Sequence, residues 1–188
     1  MKVLGISGSL RRDSHNTKLL RAAAELLPSG AELVLFDELE QVPPYNEDRD
    51  TEHPPHGVAG LWRAIADADA VLFSTPEYNS SLPGVLKNAI DWASRPFETN
   101  PLRGKPVMVI GASTGLFGAV WAQAELRKVL THLGANVLGD ELPLGTAHEA
   151  FTEGGSLLDP GVERRLGVDL DHFIEAAAAS SEAVGSAA

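Results

Sequence analysis

Lys2-Val3-Leu4-Gly5-Ile6-Ser7-Gly8-Ser9-Leu10-Arg11-Arg12-Asp13-Ser14-His15-Asn16-Thr17-Lys18-Leu19-Leu20 is the stretch on which the fold turns. Lys2 to Ile6 is short, apolar and partly β-branched, the pattern of a buried strand. Ser7 to Asn16 is small, polar and glycine-containing. From Thr17 onward Leu19, Leu20, Ala23, Ala24 and Leu27 share one helical face, and Pro28, Ser29 and Gly30 end that helix. A strand that runs through a polar turn straight into an amphipathic helix is the first half of a βαβ unit.

The same alternation continues along the chain. Ala31 to Phe36 reads as a second strand, and Asp37 to Pro55 is a proline-containing polar connection too long to be only a turn. A helix over Gly57 to Ala68, a strand over Ala70 to Ser74 and a helix over Gly84 to Ala93 follow. Pro106 to Gly111 is a fourth strand. Ala119 to Leu133 is a fourth helix, with Val120, Ala124, Val129 and Leu133 as its apolar stripe. A short fifth strand is expected near Asn136 to Leu138 and a fifth helix after Pro160. The chain contains no internal repeat. These elements predict an α/β protein, a doubly wound five-stranded parallel sheet with helices on both faces. One domain is expected over residues 1–175, followed by an Ala/Ser-rich tail over 176–188 that is either a frayed helix end or disordered.

Composition narrows the partners. With 188 residues and 44% hydrophobic content the chain suits one domain with a sizeable core. Its 15 Lys and Arg against 26 Asp and Glu give a formal net charge of −11, which opposes nucleic acid and anionic membrane surfaces alike. Without cysteine there is no disulfide, thiolate nucleophile or iron–sulfur ligand set, so redox chemistry requires a bound cofactor. The first residues hold too short an apolar stretch for a signal peptide, and no run approaches a membrane span, so a cytoplasmic protein is expected.

Three polar segments follow strands. In the first, Ser9, Arg11, Ser14 and Asn16 surround the start of helix one, where hydroxyls, an amide, backbone N–H groups and the helix dipole together suit a phosphate dianion. The alternative is a polar loop in which Ser14 or Asn16 merely caps the helix. Neither the dinucleotide fingerprint nor the Walker pattern is present. The second segment, Pro76-Glu77-Tyr78-Asn79-Ser80-Ser81-Leu82-Pro83-Gly84, follows strand three. It would meet the first where strand order reverses, with backbone groups and the Tyr78 ring for a flat ligand. The third, Gly111-Ala112-Ser113-Thr114-Gly115, matches the G-x-S-x-G elbow of serine hydrolases. A triad of Ser113, Asp140 or Asp159, and His172 can be written, but no oxyanion segment lies upstream, and Gly115 with Gly118 delays the helix an elbow needs.

Other motifs read as structural. Asn46, Asp48 and Asp50 alternate as in a calcium loop, but Thr51 stands where glycine is required and Gly57 where the bidentate glutamate belongs. His53 and His56 flank two prolines and read as surface residues, and His132 and His172 have no assignable partner. Trp62, Trp92 and Trp121 lie on helices, where core or subunit-interface packing is the default.

Taken together, Gly8-Ser9-Leu10-Arg11 with Ser14 and Asn16, and Pro76-Glu77-Tyr78-Asn79 continuing through Ser81 to Pro83-Gly84-Val85-Leu86-Lys87-Asn88-Ala89-Ile90-Asp91-Trp92, resemble the NADPH-dependent FMN reductase family, which includes quinone, chromate and azo reductases. The resemblance spans roughly residues 1 to 175, and Pro44-Tyr45-Asn46 also resembles the family's second-strand loop. It implies a flavodoxin-like fold and FMN as cofactor, with NADPH or NADH as co-substrate. The FMN phosphate would lie among Ser9, Arg11, Ser14, His15 and Asn16, the isoalloxazine against Pro76, Glu77, Tyr78 and Asn79, and a further contact at Ser113 and Gly115. It also implies a homodimer or homotetramer. The residues offer no metal site, and with nucleotide and acceptor stacking on one flavin face, ping-pong transfer of electrons to a quinone or similar oxidant is expected, without a catalytic acid or base. The other redox reading is a flavodoxin-type electron carrier. The chain departs from similar members at Gly118-Ala119-Val120-Trp121, where they often carry a glycine pair and an arginine.

Overall fold

The computed structural model describes residues 1–185. Its strands are β1 (Lys2–Ser7), β2 (Glu32–Phe36), β3 (Ala70–Thr75), β4 (Pro106–Ala112) and β5 (Asn136–Leu144), and its α-helices are α1 (His15–Glu25), α2 (His56–Ala66), α3 (Gly84–Ala93), α4 (Val120–His132) and α5 (Pro160–Gly185). All strand pairs are parallel, in the order β2-β1-β3-β4-β5, the flavodoxin-like order. The chain steps outward from β1 to β2 and then crosses back to β3, so strand order reverses between β1 and β3. The crevice at their carboxyl ends is where this sheet leaves room for a ligand.

Two apolar layers flank the sheet. On one face α1 and α5 bury Leu19, Leu20, Leu166, Leu170 and Phe173, while on the other α2, α3 and α4 bury Leu61, Ile65, Leu86, Trp92 and Leu126. With helices on both faces, β3 and β4 are buried at every residue. The long connection after β2 folds into two short 3-10 turns, Leu39–Gln41 and Glu47–Arg49. It is pinned to α3: Pro43 O accepts from Asn88 Nδ2 (2.9 Å) and Trp92 Nε1 (2.8 Å), and the Tyr45 N–H donates to Asn88 Oδ1 (2.8 Å).

Several boundaries differ from expectation. α1 begins at His15, two residues early, because Ser14 is its N-cap and accepts from the N–H groups of Asn16 and Thr17. β5 runs on to Leu144 past a register shift opposite Met108 and Ile110, so it is three times the length read from Asn136 to Leu138. α5 continues unbroken past Ala176, with Ala177 fully buried, and residues 186–188 of the expected tail lie outside the described residues. Trp92 is wholly buried, whereas Trp121 is half exposed and belongs to no core. Among the described residues no helix is long and apolar enough to cross a membrane.

Candidate functional site

The loops leaving β1, β3 and β4 converge on the switch point. The Gly8 N–H donates to Ser74 O at 2.8 Å, tying the first loop to the end of β3. A cavity of about 240 Å³ opens there, lined by Ser9, Arg11, Ser14, His15 and Asn16 from the first loop, Pro76, Glu77 and Tyr78 from the second, and Ala112, Ser113 and Thr114 from the third. Nine of the eleven residues expected to hold a cofactor therefore surround one space. Asn79 and Gly115 do not line it. Asn79 (φ 54°) and Ser80 (φ 60°) form the positive-φ centre of a tight turn closed by the Tyr78–Ser81 bridge, which carries Asn79 out to solvent. Gly115 contributes its backbone: its N–H donates to Ser113 Oγ (3.2 Å) and its carbonyl accepts from Thr146 N (3.1 Å).

Asn16 has a different task from the one its position suggests. Its side chain is buried, with Nδ2 donating to Ala112 O (3.0 Å) and Oδ1 accepting from Ala112 N (2.9 Å) and Ser74 Oγ (2.9 Å). It stitches α1 to β3 and β4 with three of the amide's four hydrogen-bonding positions, and the second Nδ2 hydrogen is left for the cavity that Asn16 also lines. Ser14 Oγ accepts from two backbone N–H groups and retains its own proton for a ligand. Ser9 Oγ accepts from the Arg11 N–H at 3.4 Å, and the exposed Arg11 guanidinium has no partner among the described residues.

His15 supplies the strongest sign of a missing ligand. Its Nδ1 is buried without a hydrogen-bond partner, and its ring lies parallel to Phe151 with centroids 6.4 Å apart. Burial first, then the charges of Arg11 and Lys18 and the nearby His148, hold its pKa below the ordinary 6.5. Nothing local in the sequence marks Phe151 as a neighbour. An anion here would relieve the crowded cations. The donor set of Arg11, two serine hydroxyls, His15 and a helix N-terminus fits a phosphate monoester.

At the other end of the cavity, Glu77 caps a remote helix. Its Oε2 accepts from the N–H groups of Trp121 (3.0 Å) and Ala122 (3.1 Å), at the start of α4, whose N-cap Ala119 has no side-chain hydrogen bond to offer. Glu125 Oε2 returns the contact by accepting from Ser81 Oγ (2.6 Å) and Leu82 N (3.3 Å). These clasps join residues 43 to 45 positions apart, a separation that no local pattern reveals.

A larger concavity, about 700 Å³, lies between α1 and residues 152–157. Its lining mixes Lys18 and Arg21 with Glu25, Glu153 and Glu163, and it lies away from the strand-order reversal. The smaller cavity is the better candidate because three strand ends aim their loops into it. The hydrolase reading finds no geometry: β4 ends at Ala112 and α4 starts only at Val120, so no helix follows Ser113. No histidine hydrogen-bonds to Ser113 among the described residues, and His172 lies exposed on α5.

Comparison with known proteins agrees with this geometry. The model of the NADPH-dependent FMN reductase family matches residues 1–149. An NAD(P)H-dependent FMN reductase of Pseudomonas aeruginosa is 48% identical over 160 residues, covering 85% of each chain. A 2-hydroxy-1,4-benzoquinone reductase of a Burkholderia species is 46% identical over 174 residues, covering 92% of this chain and 94% of its own. The solved flavoenzyme NAD(P)H:(acceptor) oxidoreductase FerB of Paracoccus denitrificans superposes with a TM-score of 0.81 at 39% identity, covering 93% of this chain and 95% of that one. The crevice between β1 and β3, its phosphate-suited donors and these relationships together establish that the chain belongs to the NADPH-dependent FMN reductase family.

Proposed function

We propose that this chain binds FMN in the cavity at the β1–β3 switch point and passes electrons from NADPH or NADH to quinones and similar small oxidants. We also assign it a cytoplasmic location and a homodimeric or homotetrameric state. The observation that carries the reading is the convergence of Ser9, Arg11, Ser14 and His15 on one cavity that the Pro76–Tyr78 loop also borders.

Bound there, FMN supplies hydride acceptance from the reduced nicotinamide and delivery of two electrons to the acceptor. The chain supplies position. Arg11 and the serine hydroxyls hold the phosphate, the Pro76–Tyr78 loop borders the flat ring system, and Ser113 offers a polar contact. No side chain is assigned as acid or base, since holding two stacked rings at reacting distance provides most of the advantage.

The purified protein is expected to be yellow and to release FMN, not FAD, on heating. Rapid bleaching by NADPH in a stopped-flow experiment separates an enzyme from a flavodoxin-type carrier, which would bleach slowly. A colourless protein that also fails to bind added FMN would overturn the proposal. With nucleotide and acceptor using one open face, steady-state kinetics should give parallel double-reciprocal lines, and intersecting lines would show separate sites.

Ser113→Ala is expected to keep reductase turnover within a few-fold of wild type. A nucleophilic serine would instead cost on the order of a million-fold. The assay is NADPH-dependent quinone reduction at saturating FMN.

The lowered pKa of His15 gives a signed pH effect. Free protein binds fewer protons than the unfolded chain below and around pH 6.5, so His15 makes stability rise with pH across that window. A phosphate dianion beside the ring reverses this by favouring the imidazolium, so binding takes up a proton. The His15 contribution to FMN affinity should therefore grow as pH falls through this range, opposing the loss caused by protonation of the phosphate near pH ~6. His15→Gln should leave only that loss, so its affinity falls more steeply with falling pH than that of wild type. Superimposable profiles for the two proteins in fluorescence titrations would place the ring out of contact with the phosphate.

A further inference from the structure

Beside the cavity lies a patch that the fold does not use. Leu116 is 80% exposed, Phe117 64%, Tyr78 54% and Trp121 49%, an unusual concentration of large apolar side chains within one rim. The patch is built on a fixed frame. Gly118 (φ 56°) and Gly145 are packed backbone to backbone against the end of β5 and the Leu116 carbonyl, so closely that a Cβ on either would lie 2.5 Å from Leu144 N or 2.3 Å from Leu116 O. The Glu77 carboxylate fastens the Trp121 N–H to the loop bordering the cavity. The Phe117 and Trp121 rings meet edge to face at 5.1 Å and 63°, a favourable aromatic geometry.

The charge around this rim is one-sided. Residues 113–125 and 76–86 contain no lysine or arginine, and their two carboxylates, Glu77 and Glu125, already accept hydrogen bonds from the rim's own backbone and Ser81. Among the described residues, the one cation lining the cavity, Arg11, stands beside His15 in the first loop, with Lys18 close enough to act on the same ring. An anionic acceptor would find no counter-charge here, whereas an uncharged planar one would find the Phe117 and Trp121 rings, which Glu77 ties to the loop bordering the cavity.

Resting on the FMN reductase reading above, we propose that Phe117 and Trp121 form the wall on which an uncharged planar acceptor stacks, and that Trp121 sets the preference for neutral over anionic quinones. The test uses the full-length, FMN-loaded protein, reduced with one equivalent of NADPH and mixed in a stopped-flow instrument with 1,4-naphthoquinone or its 2-sulfonate. The second-order rate of reoxidation is read for each. Wild type should prefer the neutral quinone. Trp121→Ala should slow the neutral quinone by about 3- to 10-fold, the worth of one aromatic contact, and Trp121→Phe should restore most of the rate. Trp121→Arg should lower the neutral-to-sulfonate ratio by about ten-fold or more.

A ratio in Trp121→Arg within two-fold of wild type would overturn the proposal. So would an unchanged ratio accompanied by dissociation of the oligomer in sedimentation, which would assign the patch to contact with a second copy of the chain. Should Trp121 variants fail to fold, Phe117→Arg carries the same expectation and the same refutation. Failure of the FMN reading itself shows earlier, as absence of bound flavin or of bleaching by NADPH before any acceptor is added.

Discussion

Asn16→Ala is expected to destabilise the apo protein by about 3–9 kcal/mol, the largest effect of any single change at the site, because it leaves three buried groups without partners at about 1–3 kcal/mol each. Those groups are Ala112 N, Ala112 O and Ser74 Oγ, all now bonded to the Asn16 amide at 2.9–3.0 Å. For a chain of this size the loss corresponds to roughly ten degrees or more in Tm. The contact closes across 96 residues of sequence, joining the first turn of α1 to the end of β4 at the switch point, so its loss loosens the floor of the cavity as well as the sheet. Asn16→Asp should not rescue it, since a carboxylate can accept from Ala112 N but repels Ala112 O and is costly to bury. Urea denaturation of flavin-free protein is the measurement, because bound FMN would mask part of the loss. A shift in midpoint at constant slope worth under 1 kcal/mol would show that water or a neighbouring side chain can replace the amide.

The sheet was legible where burial left the sequence no choice. β3 and β4 lie between helices on both faces, so each is an uninterrupted run of apolar and small residues, and their boundaries are read to within a residue. β5 is an edge strand with one open side, and its later half contains Gly139, Asp140, Glu141 and Pro143. An edge tolerates charges and a proline that a central strand would reject, which hides that half from a pattern search. The switch point itself was legible because the flavodoxin-like order, which the resemblance implied, sets β1 and β3 on either side of the reversal.

Individual roles within the site were less legible, and for one physical reason: the sequence shows donor types, while the fold decides which donors are already used. Asn16 has the right type and position to serve a phosphate, yet three of its amide's four hydrogen-bonding positions serve Ala112 and Ser74. Ser14 serves as helix cap and remains a hydroxyl donor. His15 gains its character from Arg11, Lys18, His148 and Phe151, of which only the first two are close in sequence. Glu77 sits in a recognisable loop, but its carboxylate serves the first turn of α4.

Arg11→Ala is expected to weaken FMN binding by about one to two decades, since a charge-assisted hydrogen bond contributes roughly 1.5–3 kcal/mol. Arg11 lines the cavity, yet among the described residues its guanidinium holds no carboxylate or carbonyl, so removing it should leave Tm of the flavin-free protein nearly unchanged. That separation distinguishes it from Asn16, where stability falls and each folded molecule keeps its phosphate donors. The neighbouring Arg12 is exposed and does not line the cavity, so Arg12→Ala is the control for mere loss of one positive charge in a protein of net charge −11. Turnover at saturating FMN should be little affected, because in the proposed site the phosphate end would anchor the cofactor and take no part in hydride transfer. Salt should also matter less in the variant, as an exposed charge pair screened over about 10 Å at 0.1 M ionic strength has been removed. Fluorescence titration of the flavin-free proteins at low and high salt reads both effects. Equal dissociation constants for wild type and Arg11→Ala would mean that the guanidinium stays in solvent and that the phosphate is held by hydroxyls, His15 and the first turn of α1 alone.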